Sequence, residues 1–117
     1  MMDIDDLRNY CLSLNGVTED FPFDETTLVF RVGGKIFVLT DTADIPFHFN
    51  LKCDPERAID LRERYDFITA GYHMNKTHWN TIVADSRKNN EFYFELVKHS
   101  YDLIFASLKK SIRDSIK

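Results

Sequence analysis

The chain has 117 residues, which is the length of one domain, and 44% of them are hydrophobic, including ten Phe, five Tyr and one Trp. It contains no apolar run long enough to cross a membrane, and its acidic start lacks the parts of a signal peptide, so we expect a cytoplasmic protein with no membrane contact. The net charge of -4 weighs against strong nonspecific nucleic-acid binding, which requires cations that neutralise phosphates.

The charge is unevenly distributed along the chain. Residues 1–50 carry a net charge of -6, residues 51–86 carry -1, and residues 87–117 carry +3. An acidic protein with a basic tail can still present a local anion-binding face, although solvated charged surfaces without a partner explain the same pattern.

The first half of the chain predicts a helix followed by a β-hairpin. Asp3 is the expected helix cap, and the apolar residues of the helix recur at steps of three and four: Ile4, Leu7, Cys11 and Leu14. Asn15-Gly16 ends this helix, and a connector is predicted over residues 17–25. Two strand-like runs, 27–32 and 35–40, then flank Gly33-Gly34, which predicts a hairpin with a two-residue turn.

The second half predicts two further helical regions and two or three strands. Residues 47–53 alternate, which places Phe47, Phe49, Leu51 and Cys53 on a buried face and His48, Asn50 and Lys52 on a polar one. Asp54-Pro55 begins a helix that ends near residue 64. Residues 66–70 and 78–83 are expected strands.

The final helical region is capped by Asn89 or Asn90, and it is either one helix or two with a break near His99-Ser100. The predicted fold class is α+β, a two-layer sandwich of one antiparallel sheet with helices packed on one face, in a single domain over residues 1–117.

Residues 71–80 are the most unusual segment, because they hold two histidines, a lysine, a tryptophan and two asparagines. Most loops consist of Gly, Pro, Ser and Asp, so this composition predicts a functional segment. Lysine and amide donors suit phosphate oxygens, and an aromatic ring can stack on a base. The candidate contact residues are Lys52, His73, Asn75, Lys76, His78 and Trp79, with Lys35 and Arg31 on the hairpin as a second contact.

Five blocks of the sequence resemble the MmcQ/YjbR family of small bacterial proteins. The blocks are 10–20 (YCLSLNGVTED), 28–37 (LVFRVGGKIF), 50–55 (NLKCDP), 71–81 (GYHMNKTHWNT) and 99–103 (HSYDL). The resemblance implies a frataxin/CyaY-like fold. It also implies a protein that binds double-stranded DNA in a double-wing arrangement, where hairpin-like elements approach the duplex, and it implies no enzyme activity and no cofactor.

Each candidate residue also has a purely structural explanation. The lysines can be ordinary surface side chains, Trp79 can anchor the core, and His73 and His78 can fix their loop by hydrogen bonds. The alternative function is a protein-interaction or small-anion-binding domain that uses the same polar face, with a concave pocket around His73, Lys76 and His78. The oligomeric state is open, with a monomer favoured.

The residue patterns do not favour a metal or catalytic site. His48, Cys53, His73 and His78 are potential ligands, but strand alternation places Cys53 and His48 on opposite faces. A nucleophilic Cys53–His78 pair is disfavoured because a lone Cys on a buried face usually serves packing. Frataxins use an acidic first helix to bind iron, and the front part of this chain holds an acidic cluster: Asp3, Asp5, Asp6, Glu19, Asp20, Asp24 and Glu25. Asp3 and Asp6 are also helix-start residues, which explains them without iron.

Overall fold

A computed structural model of the protein describes residues 2–71, 74–84 and 88–116. These residues form six strands and four helices. In chain order they are α1 (Ile4–Ser13), β1 (Val17–Asp20), β2 (Thr27–Val32), β3 (Lys35–Asp41), β4 (His48–Lys52), α2 (Pro55–Arg64), β5 (Ile68–Ala70), β6 (Trp79–Val83), α3 (Asn90–Ser107) and α4 (Lys110–Ser115). None of the helices in this described part of the chain is long and apolar enough to span a membrane.

The strands form one antiparallel sheet in the order β1-β2-β3-β4-β6-β5. Helix α1 packs against β1, α2 packs against β5, and the long helix α3 crosses β2, β3 and β4. The predicted α+β class, with helices on one face of an antiparallel sheet, is confirmed.

Side chains alternate along each strand between the helix layer and the opposite surface, which we call the open face. On β4, Phe49 and Leu51 are buried under the helices, whereas His48, Asn50 and Lys52 are only partly buried and lie on the open face. The predicted division of this strand into an apolar and a polar face is therefore confirmed.

The two glycines of the β2–β3 turn define one end of the sheet. Gly33 and Gly34 have φ angles of 59° and 82°, the left-handed region that a two-residue hairpin turn requires. Strand β4 ends beside this turn with Lys52, and β6 begins there with Trp79. We call this edge the hairpin end, and we call the opposite edge, where β3 ends at Asp41, the far end.

The prediction of a connector over residues 17–25 is wrong in its first part. Val17–Asp20 forms β1, an edge strand that pairs with β2. Four residues with two acids are too short and too polar to stand out as a strand in the sequence. The guanidinium of Arg8 on α1 donates to both carboxylate oxygens of Glu19, at 2.7 and 2.6 Å, and so ties this strand to the helix layer.

The break in the final helical region also differs from the prediction. Helix α3 runs without interruption past His99-Ser100 and ends at Ser107, where Leu108 takes an extended conformation before α4. The helix continues through Ser100 because this residue is fully buried against the sheet. Its hydroxyl donates to the Phe37 carbonyl at 2.6 Å and accepts from the Lys52 amide at 2.9 Å.

Candidate functional site

The strand register places two of the predicted contact residues side by side at the hairpin end. Lys52 and Trp79 are direct partners across β4 and β6, and both are partly buried on the open face. The Cys53 amide donates to the His78 carbonyl at 2.7 Å, which extends this pairing by one step beyond the strands. The strand pairing therefore places these two predicted contact residues next to each other on one surface.

Lys76 stands next to this pair on a tight turn that Asn75 organises. The Asn75 side-chain oxygen accepts from the Thr77 amide at 2.9 Å. Its backbone carbonyl accepts from the His78 and Trp79 amides at 3.2 and 2.9 Å. The Asn75 side-chain oxygen thus shapes the turn, while Lys76 is exposed at its tip.

An arginine that the sequence analysis did not single out holds this turn against the helix layer. Arg62 on α2 donates from Nε to the Asn80 Oδ1 and from Nη2 to the Lys76 carbonyl, both at 2.7 Å. Asn80 is 1% exposed and also donates to the Ala58 carbonyl at 3.4 Å. An Asn at an inward strand position is the sequence signal, because a buried amide requires a polar partner.

Replacing Arg62 is expected to loosen the Lys76 turn. Arg62→Ala removes two charge-assisted hydrogen bonds and leaves the Asn80 oxygen buried without its donor, which is expected to lower the free energy of unfolding by about 1.5–3 kcal/mol. Equilibrium urea unfolding measures this loss. Arg64→Ala is the matched control, because Arg64 is exposed and forms an exposed ion pair with the Asp60 carboxylate at 3.8 Å, and we expect it to change stability by less than about 0.5 kcal/mol.

The two hairpin residues are placed less favourably for a shared contact. Arg31 lies on the open face, but its Nε bonds the Asp20 carboxylate at 3.0 Å and its Nη1 donates to the Gly34 carbonyl at 3.1 Å. Lys35 extends toward the helix layer, where its Nζ lies 3.4 Å from the Ser107 hydroxyl. The hairpin therefore carries one cation on each side of the sheet.

Helix α4 adds further cations at the hairpin end. A side chain at Gly33 would meet Leu108 and Ile112 at 2.5 and 3.1 Å, so the start of α4 packs directly on the hairpin turn. This contact brings the basic residues of the chain's last segment beside the sheet. The cations gathered at this end are Arg31, Lys35, Lys52, Arg62, Lys76, Lys109 and Lys110, and the last of these pairs with Asp114 at 2.8 Å.

His73 lies outside the described residues. The other potential metal ligands do not converge, since five residues of extended chain, about 17 Å, separate His48 from Cys53. Burial raises the pKa of the Cys53 thiol, and its bond to His78 is between backbone atoms. No group of three or more His, Cys, Asp or Glu within 2–71, 74–84 and 88–116 is arranged to hold a metal ion.

Several acidic residues of the front half have structural partners. Asp3 and Asp6 form a reciprocal capping box at the start of α1. Glu19 and Asp20 pair with arginines. Asp24 accepts from the backbone of Thr27 and Thr26, and these bonds lower the pKa of its carboxyl group.

The open face also holds a cavity of about 420 Å³ that runs along the sheet from Ile36 and Met74, near the hairpin end, to Asp41 and Asp44 at the far end. It is lined by Phe23, Thr27, Ile36, Leu39, Asp41, Asp44, His48, Asn50 and Met74. Met74 comes from the segment in which the alternative hypothesis expected a pocket, but Lys76 and His78 are not among the described lining residues.

Comparisons with known proteins agree on one family. The YjbR family model matches residues 12–103. The uncharacterized protein YbdF of Escherichia coli O157:H7 is 34% identical over 104 residues, which cover 88% of this chain and 84% of YbdF. The crystal structure of Deinococcus radiodurans DR2400, a DUF419 domain, aligns with a TM-score of 0.91 at 40% identity and covers 98% of this chain and 88% of that one. A Pseudomonas syringae protein shares the fold at a TM-score of 0.74 and 24% identity, covering 88% of this chain and 99% of its own.

Proposed function

Since the chain belongs to the YjbR family, we propose that it is a binding protein rather than an enzyme, and that its hairpin end contacts the phosphates of double-stranded DNA. Lys52 and Lys76 supply the central charge, and the β2–β3 hairpin is the wing that approaches the duplex. Trp79 and His78 lie beside these lysines and complete the contact surface.

The observation that carries this proposal is the separation of charge along the strands. Lysines and arginines gather at the hairpin end, where β3 begins and β4 ends, whereas Asp41, Asp44 and Asp24 lie toward the far end. A protein with a net charge of -4 can therefore present a basic edge that attracts a polyanion.

The basic edge has a suitable width for a duplex. Neighbouring strands lie about 4.8 Å apart, so the three steps from β2 through β3 and β4 to β6 span about 15 Å. This distance exceeds the width of the DNA major groove, about 12 Å, so the edge can lie across the groove and reach the phosphates on both sides of it. Lys52 and Lys76 supply point charges on a rigid support, which suits backbone contacts that carry little sequence information.

Fluorescence anisotropy of a labelled duplex tests the proposal through the lysines. Lys52→Ala/Lys76→Ala is expected to weaken binding at low salt by about tenfold or more, because each phosphate contact contributes through counterion release. At higher salt, the difference in affinity between the double variant and the unmodified protein should become smaller. Both substitutions leave the backbone hydrogen bonds of residues 52 and 76 in place.

The matched control is Lys88→Ala/Lys98→Ala, which removes the same charge from the helix layer, where Lys88 lies over the Tyr65 ring and Lys98 pairs with Asp102. This control should bind as the unmodified protein does. Equal weakening in both double variants would indicate a response to net charge alone. Absence of binding at tens of micromolar protein and low salt would contradict the proposed function.

The alternative, a small-anion site, has less support on the open face. The described cavity there presents two aspartates and no lysine or arginine among its lining residues. Carboxylates next to an anion would repel it, so this cavity favours a cationic ligand over an anionic one.

A further inference from the structure

The open-face cavity has the size and the walls of a small-molecule site. Its volume of about 420 Å³ lies within the usual range of ligand pockets. Ile36 and Leu39 form an apolar floor, and Phe23 and Met74 stand at its sides. Phe23 remains 64% exposed, so a ligand in the cavity has a large aromatic surface to cover.

The polar groups of the cavity are acceptors. The Nδ1 of His48 lies 3.1 Å from the Pro46 carbonyl, which only accepts, so Nδ1 carries the proton of that bond. When the ring is neutral, its Nε2 is therefore a free acceptor. This Nε2 lies 3.7 Å from the Asp44 carboxylate, which is beyond hydrogen-bond distance, and the two groups form an ion pair only when the ring is protonated.

The hydrogen bonds of the neighbouring polar side chains are made to groups other than His48 Nε2 and the Asp44 carboxylate. Asn50 donates from its side-chain amide to the Leu39 carbonyl at 3.3 Å and accepts from the Thr81 hydroxyl at 2.5 Å. Asp41 adds a second carboxylate to the lining, and its Oδ1 accepts from the Ala43 amide at 2.9 Å. The charged aspartates and the acceptor on His48 together match a ligand that brings a positive charge and several N–H donors.

We propose that this cavity binds a small organic amine, with its ammonium group between Asp44 and His48 and its apolar body on Ile36, Leu39 and Phe23. An ammonium has three donors and no acceptor, so it can bond both the carboxylate and the imidazole at once. The proposed position of the ammonium, at Asp44 and His48, lies toward the far end, whereas Lys52 and Lys76 lie at the hairpin end.

The wall that Phe23 provides is held in place by its neighbour. The Asp24 Oδ1 accepts from the Thr26 and Thr27 amides at 2.9 and 2.6 Å, and its Oδ2 accepts from the Thr27 hydroxyl at 3.0 Å. These bonds fix the irregular segment against the start of β2. An exposed aromatic side chain on a fixed segment favours a preformed binding wall over a mobile loop.

A matched pair of probes tests the proposal on the unmodified protein. Phenethylamine and 2-phenylethanol have the same aromatic body, and only the amine is charged at neutral pH. In a titration followed by ¹H–¹⁵N NMR, the amine is expected to shift the signals of Leu39, Asp44 and Asn50 and to bind about tenfold more tightly than the alcohol. Asp44→Asn should weaken the amine about fivefold and leave the alcohol unchanged.

Asp114→Asn serves as the charge control, because Asp114 lies on α4 and pairs with Lys110. It should leave amine binding unchanged. Equal affinity for amine and alcohol would reduce the cavity to an apolar pocket and overturn the proposal. Absence of saturable shifts in the cavity at about 10 mM amine would overturn it as well. Both decisive outcomes come from the unmodified protein, so they do not depend on the folding of a variant.

Discussion

Ser100→Ala is expected to lower the free energy of unfolding by about 2–4 kcal/mol. The Ser100 hydroxyl joins two strands that diverge, since it donates to the Phe37 carbonyl of β3 and accepts from the Lys52 amide of β4. Phe37 is the extra residue where the β2–β3 register shifts, and the β3–β4 pairing begins at Val38. Removing the hydroxyl leaves two buried backbone groups without this partner.

Ser107→Ala is the matched control for this prediction. It lies on the same helix, and its hydroxyl donates to the Ile104 carbonyl one turn earlier and accepts a long, exposed contact of 3.4 Å from Lys35 Nζ, so its loss is expected to cost less than about 0.5 kcal/mol. Equilibrium urea unfolding of both variants gives the comparison. Equal losses for the two serines would contradict the role of Ser100 as a bridge between β3 and β4.

The second large effect is expected at the hairpin turn. Gly33→Ala places a methyl group 2.5 Å from the Leu108 side chain and forces alanine to a φ angle of 59°. The conformational cost is about 1–2 kcal/mol, and displacing the buried Leu108 adds about 1 kcal/mol or more. The variant should therefore lose about 2–4 kcal/mol of stability and shift α4, which carries Lys109 and Lys110 to the hairpin end.

Gly34→Ala separates these two costs. Gly34 has a φ angle of 82°, but an added methyl group there meets nothing within 4 Å, so only the conformational cost of about 1–2 kcal/mol applies. Thermal or urea unfolding measures both variants. Equal destabilisation by Gly34→Ala and Gly33→Ala would contradict the packing of α4 on the β2–β3 turn.

Most of the fold follows from local patterns in the sequence. The Asp3 cap, the Asp54-Pro55 helix start and the Gly33-Gly34 turn are each determined by a few neighbouring residues. Strict alternation in β4 identifies its buried face, because a one-residue shift would expose every apolar side chain. The residue types at each cap and turn indicate the local backbone geometry, and the alternation of apolar and polar residues indicates which side chains are buried.

The elements that the sequence did not predict depend on contacts between distant segments. Strand β1 is stabilised by pairing with β2 and by Arg8, so its own four residues give a weak signal. Helix α3 continues past Ser100 because the sheet supplies that side chain's partners, 63 residues away for Phe37. Tertiary contacts outweigh local preference in both places.

The candidate site also contains one part that the sequence predicted and other parts that it did not. Lys52 and Trp79 were predicted as members of one site, and the pairing of β4 with β6 makes them neighbours. The support from Arg62, 14 residues from Lys76, was not predicted, since nothing local links an α2 arginine to a turn after β5. The cavity was also missed, because segments from four parts of the chain line it.

The most direct test of the proposed DNA contact is a ¹H–¹⁵N NMR titration of the protein with a duplex of roughly 20 bp at low salt. The chain has one tryptophan, so its single indole signal reports on Trp79 without assignment. We predict that this signal shifts together with the amides of Gly33, Gly34, Lys52 and Lys76, and that the shifts disappear at high salt. Shifts confined to the helix layer, or no shifts at all, would contradict the assignment of DNA binding to the hairpin end.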